Sequence, residues 1–139
     1  MADPKRFVLI ACAAQKLDRP APASALYTST LFRLSYGYAL SLEPSAIYIL
    51  SAKHGLLSNG QIVAPYNVTL NDMGAAEIRG WARSVLDQMR PLIDMVNDEV
   101  VMLAGDKYRR YLMPHLPTAK VPLEGLRIGE QLHYLSRHQ

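Results

Sequence analysis

Cysteine occurs once in the 139 residues, as Cys12, which excludes an internal disulfide and any zinc site built from the cysteines of one chain. That usage fits a reducing compartment, and a cytoplasmic location is expected. Charge is sparse as well. Only 19% of residues are charged against 50% hydrophobic, a balance that excludes a disordered chain. No apolar run approaches the roughly 20 residues that span a bilayer. The longest, Phe7 to Ala14, starts after Lys5-Arg6 and is too short for a secretory signal, so no membrane partner is expected. Walker and dinucleotide glycine fingerprints are missing, which argues against ATP hydrolysis and nicotinamide chemistry, and no cofactor is expected. His54 has no second His or Cys near it in sequence, so no metal centre is expected either. The net charge is +3, with 15 basic residues scattered along the chain and one dense group at Lys107, Arg109 and Arg110. An anionic ligand is allowed; nucleic acid is not demanded.

What is present reads as one α/β domain over residues 1–139, long enough to bury about two thirds of its unfolded surface in a single core. Arg6 to Cys12 is an apolar run of strand length, expected to be buried on both faces. Asp18 to Ala23, with Pro20 and Pro22, reads as a non-helical loop. Tyr27-Thr28-Ser29-Thr30 offers capping hydroxyls to a helix that ends near Glu43-Pro44. Ala46 to Ser51 is a second strand, and the βαβ unit so formed should cross over right-handed. Residues 58–70 form an extended excursion over the ligand edge, and Pro65 forbids a central strand there. A long helix runs from Asn71-Asp72 to about Val96, burying Ile78, Trp81, Ala82, Val85, Leu86, Met89, Leu92 and Ile93, with Pro91 able to kink or divide it. Val100 to Ala104 is a third strand, Lys107 to Met113 a short helix stopped by Pro114, Lys120 to Leu123 an edge strand, and Gly129 to Arg137 a last helix with Ile128, Leu132 and Leu135 inward. The expected fold is a three-layer α/β sandwich on a short, mainly parallel sheet of four or five strands.

The stretch from Ile47 to Leu57 organises the rest, because a buried strand there delivers Ser51-Ala52-Lys53-His54-Gly55 to its carboxyl end, where open α/β sheets bind ligands. Lys53 and His54, with the backbone N–H groups of their turn, are placed to converge on a phosphate or carboxylate. The plain alternative is a surface lysine and a histidine bonded to a backbone carbonyl. Cys12 is either a nucleophile whose thiolate is favoured by Lys16 or Lys53, or a small buried hydrophobe. Glu124 is either a general acid or base, able also to bond a ribose hydroxyl, or a carboxylate resting at the entry of the last helix. Asp106, after Gly105, carries the same two readings and leans towards a helix cap. Tyr27, Ser29, Tyr66 and Tyr108 are hydroxyl-bearing candidates to line the pocket, and a tyrosine face can stack on a base. Tyr36, Tyr38 and Tyr111 are expected in the core.

Cys12, Lys16, Tyr27, Ser29 and Phe32, then Tyr48 to Leu57 and Pro65-Tyr66, together resemble the pattern of a bacterial and phage family of mostly uncharacterised small domains, and Pro122 to Gly129 is similar to that family's ending. Gly55-Leu56-Leu57 followed by Pro65-Tyr66 is more distantly similar to the YaaA peroxide-stress proteins, and the surroundings to the core domain of archaeal enzymes that modify a deazaguanine base in transfer RNA. Those two resemblances imply DNA binding and base modification respectively. Ala13-Ala14 and Asn67 stand where many relatives would carry Ser and Asp. With the resemblance, the expected partner is a nucleotide, a nucleobase or nucleic acid, bound at the carboxyl edge of the sheet for base modification or hydrolysis of an N-glycosidic bond. The alternatives are a non-enzymatic DNA-binding protein and a small interaction module. A homodimer through a Tyr- or Met-bearing helix is compatible with the sequence.

Overall fold

A computed structural model describes residues 3–139. In chain order its elements are β1 (Arg6–Ala11), β2 (Ala21–Pro22), α1 (Ala23–Leu26), α2 (Thr30–Ser41), β3 (Ala46–Ser51), β4 (Gly55–Ser58), β5 (Ile62–Val63), α3 (Ala75–Met89), β6 (Glu99–Leu103), α4 (Asp106–Arg109), β7 (Ala119–Lys120) and α5 (Ile128–Arg137). Five strands form one sheet in the order β4-β3-β1-β6-β7. β1 lies at its centre, parallel to β3 and β6, with Val8 opposite both Ile47 and Val101. Burial on two faces explains the unbroken apolar run of β1. Phe7 and Leu9 point to the layer that holds α3, whereas Val8 and Ile10 point to the layer of α2 and α5, the alternation that a pleated strand imposes. The three-layer α/β sandwich follows from these two covered faces.

Two crossovers set the site. The first runs from β1 through α2 to β3 on one face, and the second returns from β3 and β4 through α3 to β6 on the other. Opposite steps on opposite faces give both the same hand. The chain therefore leaves β1 in one direction and comes back to its other side, and this reversal opens a crevice between the carboxyl ends of β1 and β6.

Several boundaries differ from expectation. The fifth strand is β4, which folds back antiparallel to β3, pairing Leu50 with Leu56 and Ser51 with Gly55. α3 stops at Met89, before Pro91 removes the next helical donor, so Leu92 is 48% exposed while Ile93 stays buried. The chain turns there around Asp98, whose carboxylate accepts from the amides of Lys5 and Asp94. α4 is a single turn, and Pro114 lies inside a following 3-10 turn, Met113–His115, instead of ending a helix. β7 ends at Lys120, short of Leu123, as the parallel edge strand. Ala23 opens the one-turn helix α1 at the end of the expected loop. On α5 Leu135 is buried, but Ile128, on the same face two turns earlier at the first position of the helix, is 58% exposed. Tyr38 is buried, whereas Tyr36 and Tyr111 are half-buried. Among the described residues no helix is long and apolar enough to cross a membrane.

Candidate functional site

Cys12-Ala13 leave β1 and Ala104-Gly105 leave β6 side by side, and their small side chains open a crevice of about 120 Å³. Ser29, Leu31, Phe32 and Ser35 at the start of α2 line one wall, and Gln131 of α5, Leu123 and Arg109 line the other. The Cys12 amide donates to Leu50 O at 2.9 Å, which extends the ladder by one residue and fixes the thiol. Its Sγ lies 3.3 Å from Tyr108 Oη, and the Tyr108 ring meets Trp81 edge-on with centroids 5.5 Å apart. Arg109 Nη1 donates to Ala104 O at 2.8 Å, while Nη2 lies 3.5 Å from Glu124 Oε2. Pockets that enclose a whole small molecule are typically about 300–1,000 Å³. This crevice is too small to enclose a whole small molecule.

A second polar group stands beside it on the β3 side. Ser51, fully buried at the end of β3, accepts from the amides of Lys53 (3.2 Å) and His54 (3.0 Å) and donates to Tyr66 Oη (2.8 Å). Tyr66 Oη is 2.5 Å from Tyr27 Oη. Ser51, Tyr66 and Tyr27 thus share three hydroxyl hydrogens across two contacts, and one tyrosine hydrogen is left to donate outward. Lys16 Nζ sits 4.4 Å from the centroid of the Tyr66 ring and 5.7 Å from that of Tyr27, within cation–π range. The His54 ring meets Tyr66 edge-on at 5.4 Å.

Burial pushes the Tyr27 hydroxyl up to about 12. It also lifts Tyr66 and Tyr108 above the tyrosine range, with charge on Cys12 adding to the rise. At neutral pH these hydroxyls are hydrogen-bonding groups and not bases. Burial lowers the Lys16 ammonium below the usual lysine range against the opposing pull of Cys12. His54 is held below the ordinary histidine value by burial first and by the Lys53 charge second.

The residues anticipated from sequence divide into three sets. Cys12, Ser29 and Gly105 line the crevice, and Tyr108 reaches it through Cys12. Lys16, Tyr27, Tyr66 and His54 gather around Ser51. Lys53, Gly55, Asp106 and Glu124 stand outside these two groups. The Lys53 and His54 amides cannot cradle an anion, because Ser51 Oγ already accepts from both. Gly55 serves the backbone: its φ is +76° and its α-carbon lies against Gln88, whose side chain bonds Leu56 N and His54 O. Asp106 pairs with Arg110 and borders a separate recess with Met73 and Ile78. Glu124 stands four residues past β7 with its side chain 67% exposed, joined to the crevice through Arg109.

Arg109, Ser35 and Gln131 are the crevice residues that sequence reading passed over. Arg109 was visible only as part of a basic cluster, and its position four residues after Gly105, one helical turn, is the signal that places it back over the end of β6. Among the described residues no group of three His, Cys, Asp or Glu side chains is close enough to hold a metal ion. A model of the family of unknown function DUF6884 matches residues 7–137. No curated protein and no solved structure matches the chain.

Proposed function

We propose that this chain, which belongs to the family of unknown function DUF6884, binds a nucleotide or nucleobase, free or within nucleic acid, at the carboxyl edge of its parallel sheet. The observation that carries the reading is the gathering of a cation with tyrosine hydroxyls and rings at the end of β3, next to a small-residue crevice at the point where the strand order reverses. The Lys16 ammonium and the spare tyrosine hydrogen suit carbonyl and phosphate oxygens, and an aromatic face suits a base. The motif likeness of Gly55-Leu56-Leu57 and Pro65-Tyr66 to YaaA proteins, and of its surroundings to deazaguanine-modifying enzymes, supports the same ligand class. For base modification or cleavage of an N-glycosidic bond, Glu124 is the carboxylate at hand to assist a departing base, with the Arg109 guanidinium 3.5 Å away. Replacing Glu124 by Gln abolishes turnover and leaves ligand affinity within a few-fold; full activity in that variant removes this mechanism.

A second reading, DNA binding without catalysis, is favoured by one feature. Arg79 and Arg83, with the Arg90–Asp87 ion pair, border a groove between α3 and the Tyr111–His115 segment, and the Arg79 guanidinium lies 5.6 Å from the Tyr111 ring. A thermal-shift series with free bases, nucleosides, nucleotides and short DNA and RNA separates the two. A ligand at about 100 times its dissociation constant adds roughly 2.7 kcal/mol of stability. Stabilisation by a mononucleotide or base that Lys16→Gln loses supports the strand-edge site. A response confined to long nucleic acid, indifferent to Lys16→Gln and erased by salt, replaces it with the groove on α3.

A further inference from the structure

Within the crevice, Ser35 stands apart. It is a polar residue only 3% exposed, one turn and a half into α2, and it lines the cavity. Among the described residues its hydroxyl makes no hydrogen bond, unlike Ser41 and Ser136, which bond the carbonyls of Tyr38 and His133 three residues back. No polar side-chain atom among the described residues is both sealed off and unpartnered, so this hydroxyl is open to the crevice and keeps its bonding capacity for whatever enters it. The same wall holds the opening of α2, a 12-residue helix. Ser29 Oγ accepts from Phe32 N, and the Arg33 amide from the next position bonds Ser29 O. The amides of Thr30 and Leu31 remain without an acceptor in the chain and point out of the helix start, where its dipole favours negative charge. Leu31 and Arg109, the latter with its side chain only 18% exposed, line the same crevice, and no acidic residue does.

We propose that this crevice is the subsite for a single phosphoryl group, held by the α2 amides, Ser35 and Arg109, and that Glu124 occupies Arg109 until the phosphate arrives. The inference rests on the nucleotide reading above and narrows it to a monophosphate ester, since a crevice of about 120 Å³ admits one phosphoryl group and leaves the sugar and base to lie outward. Each polar element has a distinct task. The α2 amides and Ser35 Oγ donate to the phosphate oxygens, and Arg109 neutralises them with Nη2 while Nη1 stays anchored on Ala104 O. Glu124, released from Arg109 by the incoming anion, is then free at the rim of the same site.

Titration of inorganic phosphate, a nucleoside monophosphate and the matching nucleoside into the purified chain, followed by calorimetry and by phosphorus NMR, tests this. Ser35→Ala keeps the helix intact, alanine being the best helix former, and is expected to weaken phosphate and monophosphate binding about tenfold while leaving the nucleoside unchanged. Glu124→Gln removes the competing carboxylate and is expected to tighten both about two- to fivefold. If the nucleoside binds as well as its monophosphate and neither variant changes it, the phosphoryl subsite is overturned and the nucleobase reading stands. If phosphate binds but Ser35→Ala leaves it unaltered, the anion sits elsewhere and the inference fails. If neither nucleoside nor monophosphate binds, the wider reading falls and takes this one with it.

Discussion

Gly55 shows how one residue position can carry a whole corner. Its φ of +76° lies where an L side chain is strained, and a β-carbon there would come within 2.2 Å of Gln88 Oε1. Gln88 would have to leave, giving up its bonds to Leu56 N and His54 O. Gly55→Ala is therefore expected to destabilise the fold by about 2–4 kcal/mol, the sum of left-handed strain and the lost bonds, read as a lowered midpoint in urea unfolding. A companion Gln88→Ala substitution should remove the steric part and leave the strain. The sequence made the Ser-Ala-Lys-His-Gly turn conspicuous, and its place at the end of a buried strand was legible from four consecutive β-formers. Its hydrogen bonding was not. Whether the Lys53 and His54 amides face a ligand or the Ser51 hydroxyl depends on a side-chain rotamer that no periodicity encodes, and Ser51 has both.

At the level of elements, the helices that obey local rules were the readable ones. Ser29 heads α2 as its cap, with Oγ 3.2 Å from Phe32 N, as the run of hydroxyls before the helix indicated. Ser29→Ala should cost about 1 kcal/mol in thermal or denaturant unfolding, and Ser29→Asp should recover most of it. The central strands were legible because burial on two faces leaves an uninterrupted apolar run. β4 was not, since Gly55–Ser58 is too short to show a period and owes its strand conformation to pairing with β3. The end of α3 turned on Pro91, which marks a boundary without saying whether a helix resumes beyond it. Here the next residues instead wrap the Asp98 carboxylate. The excursion that presents Tyr66 has almost no regular structure, and it is held by the β2–β5 pair at one end and the fully buried Leu70 at the other.

For the molecule as a whole, the buried tyrosines give a signature in alkali. Burial pushes Tyr27 and Tyr38 up to about 12, and Tyr66 and Tyr108 higher than the ordinary range. Of the eight tyrosines, these four should still be protonated at about pH 11, so the phenolate absorbance of the folded chain falls short of that reached after unfolding. A folded pKa above the unfolded one means that the unfolded chain releases protons first. The stability these groups contribute is whole below about pH 10 and is lost as pH rises through about 12. Full phenolate absorbance at pH 11 with the fold intact would contradict the burial of this cluster. The position of β1 has a different consequence. Its neighbours β3 and β6 come from far along the chain, with Arg6 meeting Glu99 and Phe7 meeting Ala46. During synthesis β1 must wait for β6 before its second edge is covered, so these contacts are slow to form. The crevice, bounded by that late-filled edge and by Gln131 of α5, can exist only once β6 and α5 have been made, and a shorter nascent chain has an open strand edge in its place for chaperones to shield.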